Sequence, residues 1–151
     1  MGTPFTQVYN RFLGKITDDM YMELTPEDTV RDLRNLLIDA IPGFEFPRVN
    51  LLDYTIIEAE NALEEESSFA ADLSSEEINI LAILMMIGWT QRQVTSIENT
   101  RMKYSSSDFK FTSQANHLAK LLTLLQETQR QSHHMQRLYK RRRTDENGRY
   151  E

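Results

Sequence analysis

The stretch 74-SSEEINILAILMMIGW-89 decides the fold of this chain. Ser74 is followed three residues later by Glu77, which is the capping-box pattern that begins a helix. The twelve residues that end at Trp89 are apolar on nearly every side of such a helix. Twelve residues are too few to cross a bilayer, so this helix is expected to form the buried centre of one domain. It is predicted to continue, with a more polar surface, to about Lys103.

Two amphipathic helices are predicted before this central helix. The first covers residues 4–16, with Thr3 as its cap and apolar side chains spaced for one helical face. The second begins at Pro26 behind a Thr25 cap and ends at Pro42-Gly43. The apolar residues of the first are Phe5, Val8, Tyr9, Phe12, Leu13 and Ile16, and those of the second are Val30, Leu33, Leu36, Leu37, Ala40 and Ile41.

Residues 44–73 have a different pattern, rich in aromatic and β-branched residues and then in acidic ones. The segment is interpreted as a short β-hairpin or an extended loop with an acidic tip. The tip carries five carboxylates, and it lacks the spacing and turn glycine of a calcium-binding loop. It is therefore predicted to be a solvated loop that could face a partner or the lumen of an assembly. Its acidic residues are Glu58, Glu60, Glu64, Glu65 and Glu66.

A fourth helix is predicted from about Ser113 to Arg142, after an extended linker that carries Phe109 and Phe111. The chain is thus expected to be mainly α, a four-helix domain with long third and fourth helices. The middle of the fourth helix, 126-QETQRQSHH-134, has nine polar residues in succession. A helix without an apolar face has nothing to bury against its own domain. The fourth helix is therefore predicted to leave the domain near Gln126.

A small apolar cluster follows the polar stretch, just before a basic run. If the helix has left the domain, a monomer would expose this cluster, and such clusters usually mark a contact with another molecule. We therefore divide the chain into a helical domain, residues 1–134, and a C-terminal docking arm, residues 135–151. The arm residues proposed to make contact are Met135, Leu138, Tyr139, Lys140, Arg141, Arg142 and Arg143.

The net charge of −6 is unevenly distributed along the 151 residues. Residues 1–77 hold 17 acidic and 5 basic side chains, a net of −12, and residues 78–151 hold 6 and 12, a net of +6. This asymmetry fits two surfaces with different partners, or the front of one copy meeting the back of the next. The two halves could equally neutralise each other within the fold.

No catalytic, cofactor-binding or metal-binding residues are predicted. The chain has no cysteine and no glycine-rich phosphate-binding motif. Two of its three histidines, His133 and His134, are adjacent, so a helix would point them about 100° apart, and His117 is too distant to join them. The basic run could contact phosphates without reading sequence, or simply favour the negative end of the helix dipole.

The sequence resembles the small head–tail connector proteins of tailed bacteriophages, also called adaptor or neck proteins. The resemblance covers most of the chain, from 8-VYNRFLGKITDDMYMELTPEDTVRDLRNLLIDAIPGFEFPR-48 onward, and is clearest in 96-SIENTRMKYSSSDFKFTSQANH-117 and 137-RLYKRR-142. It implies a virion protein at the capsid–tail junction, with no enzymatic activity. It also implies a ring of identical helical subunits, typically twelve, which lies under the portal and extends the DNA channel.

The expected partners follow from the same resemblance: the portal protein, the next neck or tail protein, further copies of this chain, and double-stranded DNA that passes without sequence-specific contact. A membrane is not among them. In similar adaptors a C-terminal extension docks on the portal, which here corresponds to the arm that begins at Met135. The alternative is a small helical regulatory protein that binds nucleic acid or a partner through its basic C-terminal tail.

Overall fold

The computed structural model describes residues 2–16, 26–57, 65–103 and 108–141. Within these ranges the chain forms α1 (Phe5–Leu13), α2 (Pro26–Ala40), a 3₁₀ turn (Ile41–Gly43), β1 (Tyr54–Thr55), β2 (Ser68–Phe69), α3 (Ser75–Lys103) and α4 (Asp108–Arg141). The prediction of a mainly helical domain, with two long helices after a short hairpin region, is confirmed.

The long helix α3 is the centre of the domain, as its sequence predicts. Its capping box is formed, because the Ser74 backbone N–H donates to Glu77 Oε1 at 2.8 Å and the Glu77 N–H donates to Ser74 Oγ at 3.2 Å. The helix packs against α1, α2 and α4, which explains why its first half is apolar all round. Its buried apolar residues are Ile78, Ile80, Leu81, Ala82, Ile83, Met85, Trp89 and Val94.

The helix α1 begins one residue later than predicted, and Thr3 does not cap it. Pro4 occupies the position before the helix without any side-chain cap. Thr3 Oγ1 instead accepts a hydrogen bond of 2.7 Å from the backbone N–H of Leu73, which ties the N-terminus to the chain just before α3. The apolar face of α1 is buried as expected, with Phe5 and Phe12 fully covered.

The two short strands pair antiparallel, with Tyr54 opposite Phe69 and Thr55 opposite Ser68. The N-terminal segment lies on the other side of β2, where Pro4 forms an isolated bridge with Ser68. This segment approaches so closely that a Cβ atom on Gly2 would lie 1.9 Å from the carbonyl oxygen of Phe69. The hairpin alternative for residues 44–73 is therefore the correct one, and it is anchored by the start of the chain.

The helix α2 ends as expected, because the 3₁₀ turn that follows it contains Pro42 and Gly43; its proposed cap, Thr25, lies outside the described residues. The helix α4 begins at Asp108, so Phe109 and Phe111 belong to a helix and the prediction of an extended linker there was wrong. A two-residue alternation is too short to specify a strand, and an acidic residue favours a helix start.

Within the described part of the chain, no helix combines the length and the apolar character needed to cross a membrane.

Candidate docking surface at the end of α4

The polar middle of α4 stays on the domain, so the prediction that the helix leaves it near Gln126 was wrong. Thr128 and Ser132 are only 3% and 4% exposed, and Gln136 is also buried. Thr128 Oγ1 donates to the carbonyl of Leu124 at 2.7 Å, and Ser132 Oγ accepts from Gln136 Nε2 at 3.1 Å. Polar side chains whose hydrogen bonds are satisfied can be buried at little cost.

These residues complete a stripe that runs along α4 from Leu118 to Tyr139. Its buried members are Leu118, Leu121, Thr128, Ser132, Gln136 and Tyr139. They recur every three, four or seven residues, the spacing with which one helix packs against another over a long distance. A search for apolar residues alone misses the stripe because three of its members are polar.

Tyr139 fixes the last described turn of α4 to the beginning of α3. Its side chain is 2% exposed, and its hydroxyl donates to Glu77 Oε2 at 2.9 Å while accepting from the Arg48 backbone N–H at 2.9 Å. The ring meets Phe44 edge to face, with the centroids 5.2 Å apart. The capping box of α3 and the end of α4 therefore share one carboxylate, that of Glu77.

The loop after α2 closes over the same end of α4. The Arg48 guanidinium lies 4.4 Å from the centre of the Tyr139 ring and donates to the Tyr139 carbonyl at 2.6 Å. Gln136 accepts from the Glu45 N–H at 2.9 Å and donates to the Gly43 carbonyl at 3.1 Å. We call Glu77, Arg48, Gln136 and Tyr139 the clamp. The sequence analysis assigned Tyr139 to a partner and Glu77 only to the capping box of α3, and it did not identify Arg48 or Gln136.

The clamp environment also changes the acidity of its phenol. Burial raises the pKa of Tyr139 to about 12, with a further rise from Glu77, while the hydrogen bond from Arg48 opposes it. The phenol is therefore neutral at physiological pH and remains the donor of the hydrogen bond to Glu77.

The docking-arm residues are thus split between the core and the surface. Met135 is half-buried, and its sulfur lies 3.7 Å from Asn79 Nδ2. Leu138 is 38% exposed, and Lys140 and Arg141 are exposed. The Lys140 ammonium lies 4.2 Å from the ring centre of Phe46, itself a strongly exposed aromatic residue. Arg142 and Arg143 lie outside the described residues.

The two described residues of the acidic tip differ in exposure, and the prediction of a solvated carboxylate was wrong for Glu65. Its side chain is fully buried and accepts two hydrogen bonds from Arg34 Nη2, at 3.0 and 3.2 Å. The Ser67 N–H donates to the same carboxylate at 3.0 Å. Glu66 is exposed as expected. Glu58, Glu60 and Glu64 lie outside the described residues.

The Arg34–Glu65 pair connects three parts of the chain. Arg34 on α2 also donates to the Ile57 carbonyl at 3.2 Å, beside β1. Tyr9 on α1 donates to Glu65 Oε2 at 3.3 Å, and burial together with the charge of Glu65 raises the pKa of Tyr9 well above its usual range. The pair therefore fixes the hairpin region to the helices that surround it.

The described residues contain no group of three or more potential metal ligands. His117, His133 and His134 are all exposed on α4. The paired acidic and phenolic groups described above hold elements of the fold together.

Comparison of the chain with protein-family models, with curated proteins and with solved structures finds no match.

Proposed function

We propose that this chain is a structural head–tail adaptor of a tailed phage. In this role it forms a homo-oligomeric ring under the portal, extends the DNA channel and joins the capsid to the tail. The observation that carries the proposal is the clamped end of α4, which presents Leu138, Lys140 and Arg141 in a fixed geometry just before a further basic segment. The sequence resemblance to connector proteins ends at this same place.

The clamp attaches the beginning of the proposed docking arm to the domain as a rigid helix end. Tyr139 and most of Met135 belong to the domain, so the proposed portal contact consists of Leu138, Lys140 and Arg141 with the residues that follow. A preorganised surface loses less conformational entropy on binding than a free tail would. The exposed ring of Phe46 beside Lys140 extends the surface with an aromatic group.

The charge distribution supports contacts between copies. Among the side chains that the structure describes on α4, the exposed basic ones are Lys120, Arg130, Arg137, Lys140 and Arg141, against one exposed acidic one, Glu127. On the hairpin side Glu45, Asp53, Glu66 and Asp72 are exposed, against one exposed basic residue, Arg48. A ring requires each subunit to present one face to a different face of its neighbour. We propose that the basic face of α4 meets the acidic hairpin side of the adjacent copy.

The role is proposed to be non-enzymatic and located at the capsid–tail junction of the virion. Its partners would be the portal, the next neck or tail protein, further copies of the chain, and the DNA that passes through the bore. The buried ionisable groups support this assignment, because Arg34, Glu65 and Glu77 already serve the fold.

Binding to the portal protein of the same virus tests the proposal. The double variant Lys140→Glu/Arg141→Glu, made in the full chain, is expected to weaken binding at least about tenfold, since each charge-assisted contact contributes about 1.5–3 kcal/mol. The control is Arg31→Glu, an exposed basic residue of α2 that lies outside both the docking surface and the basic face of α4. If the double variant binds the portal as tightly as the control, the docking surface is wrongly placed.

The exposed Lys140 and Arg141 also fit the alternative of a nucleic-acid-binding protein. A salt titration of binding to a duplex oligonucleotide separates the two functions. A DNA-binding protein loses affinity steeply with salt, with a slope set by the number of phosphates contacted. The adaptor is expected to show little DNA affinity at physiological salt while still binding the portal.

A further inference from the structure

A groove lies where the end of α1 meets α3 and α4, on a part of the surface that the proposed function does not use. Its volume is about 400 Å³, within the range of ligand and peptide-anchor pockets. The lining combines apolar and polar side chains. Its lining consists of Lys15, Ile16, Met86, Trp89, Gln93, His117, Leu121 and Leu124.

Trp89 is the first sign that the groove takes an occupant. The indole is buried, yet its Nε1–H has no hydrogen-bond acceptor in the described part of the chain. An unpaired buried donor costs about 1–3 kcal/mol, and buried donors are usually satisfied. The nitrogen has less than 1 Å² of accessible surface, so a ligand oxygen can satisfy it only by displacing the side chains that cover it, whereas a purely apolar ligand could not satisfy it at all.

The second, independent sign is the positive charge at the rim. Lys15 lines this groove and also a neighbouring one of about 520 Å³, which is lined by Gln7, Asn10, Arg11, Gly14, Lys15 and Ile78. Burial lowers the pKa of Lys15, and the nearby charge of Arg11 lowers it further. Neither cation has an ion-pair partner among the described residues, and the hydrogen bond from Arg11 to Ser75 is long, at 3.4 Å.

We infer that the two grooves together bind an acidic peptide segment that carries a large apolar side chain. A carboxylate lies between Arg11 and Lys15, the apolar side chain lies in the groove beside Trp89, and a peptide oxygen accepts from the indole N–H. The cations favour an anionic partner by charge complementarity, and the apolar side chains of the lining favour a peptide over a free anion. This inference does not depend on the proposed function.

The chain contains a single tryptophan, which makes the test direct. The probe is the acetylated and amidated pentapeptide Glu-Asp-Gly-Leu-Phe, added to the full ¹⁵N-labelled chain. The one indole N–H resonance is expected to move downfield as the donor gains an acceptor, and tryptophan emission titrates with the same dissociation constant. Two control peptides replace Glu-Asp by Gln-Asn, or Leu-Phe by Ser-Ser, and each is expected to bind at least about tenfold more weakly.

Variants of the protein locate the site. Lys15→Gln is expected to raise the dissociation constant about tenfold, whereas Arg130→Gln, which removes an equal charge from the exposed side of α4, leaves it unchanged. Gln93→Glu places a negative charge in the groove and weakens binding. Gln91→Glu is the matched control, because Gln91 lines a different cavity beside α2.

Three results would overturn the inference. In the first, the indole resonance does not move at millimolar peptide. In the second, Arg130→Gln weakens binding as much as Lys15→Gln does. In the third, a short DNA duplex moves the resonance as the peptide does, which would assign the cations to phosphate instead.

Discussion

Removing the Tyr139 hydroxyl tests whether the end of α4 belongs to the domain. In Tyr139→Phe the ring keeps its contacts with Phe44 and Arg48, but the hydroxyl that joins Glu77 to the Arg48 N–H is lost. The hydrogen bond to a buried carboxylate contributes about 1.5–3 kcal/mol, and the backbone donor loses its acceptor as well. The free energy of unfolding should therefore fall by about 2–4 kcal/mol.

This loss is large against the roughly 5–15 kcal/mol by which domains are usually stable. Urea denaturation followed by circular dichroism and by the fluorescence of Trp89 would measure it, with the slope of the transition unchanged. The melting temperature should fall by roughly 5–10 °C. Leu138→Ala, at the exposed neighbouring position, is the control and should cost less than about 1 kcal/mol.

A change below about 0.5 kcal/mol in Tyr139→Phe would refute the clamp. The last turns of α4 would then be detached from the domain, as the polar stretch 126–134 first suggested. The deletion of residues 135–151 would be a poor test of portal docking, because it removes Tyr139 and Gln136 and so damages the fold. Truncation after Arg141 avoids this problem.

Four further predictions follow from the buried polar groups. The free energy of unfolding should decline between pH 10 and 12 more in the wild type than in Tyr139→Phe. Folding raises the pKa of this phenol from near 10 to about 12, so the stabilisation by the phenol is complete below pH 10 and is lost as the pH rises through 12. Urea midpoints measured at each pH would show the difference. Arg34→Met should destabilise the chain by about 3–5 kcal/mol by leaving Glu65 buried without its cation, whereas Arg31→Met, which breaks an exposed pair, should cost less than about 1 kcal/mol in the same urea assay. Ser132→Asp places a charge at a buried position of α4 and should lower the free energy of unfolding by more than about 3 kcal/mol in urea denaturation. His133→Asp, one residue away on the exposed side, should change it by less than about 0.5 kcal/mol. Gly2→Ala should lower the melting temperature, since its methyl group collides with the Phe69 carbonyl; a melting temperature equal to that of the wild type would mean that the N-terminus is not held against β2.

The sequence predicts the helices well because their signals are local. The capping box at Ser74 and Glu77 is a pair of residues three apart, and the all-round apolar run after it can only be a buried helix. The signal for the end of α2 is equally local, because Pro42 and Gly43 stop a helix whatever its surroundings in the domain. These features require no knowledge of what lies across the core.

The errors concern residues whose role depends on distant partners. In the sequence Glu65 is one of several carboxylates expected to be solvated, because its partner Arg34 lies 31 residues earlier and only the fold brings the two together. In the sequence Tyr139 has no evident partner, because its hydrogen-bond partners Glu77 and Arg48 lie 62 and 91 residues away along the chain. The polar stripe on α4 carried a local signal, the spacing of Thr128, Ser132 and Gln136, which a count of apolar residues does not detect.

Electron cryomicroscopy of the neck of intact virions tests the proposed function most directly. We expect a ring of this chain directly under the portal, with Leu138, Lys140 and Arg141 against the portal and Tyr139 still hydrogen-bonded to Glu77 within each subunit. A neck from which the chain is absent would contradict the proposed function.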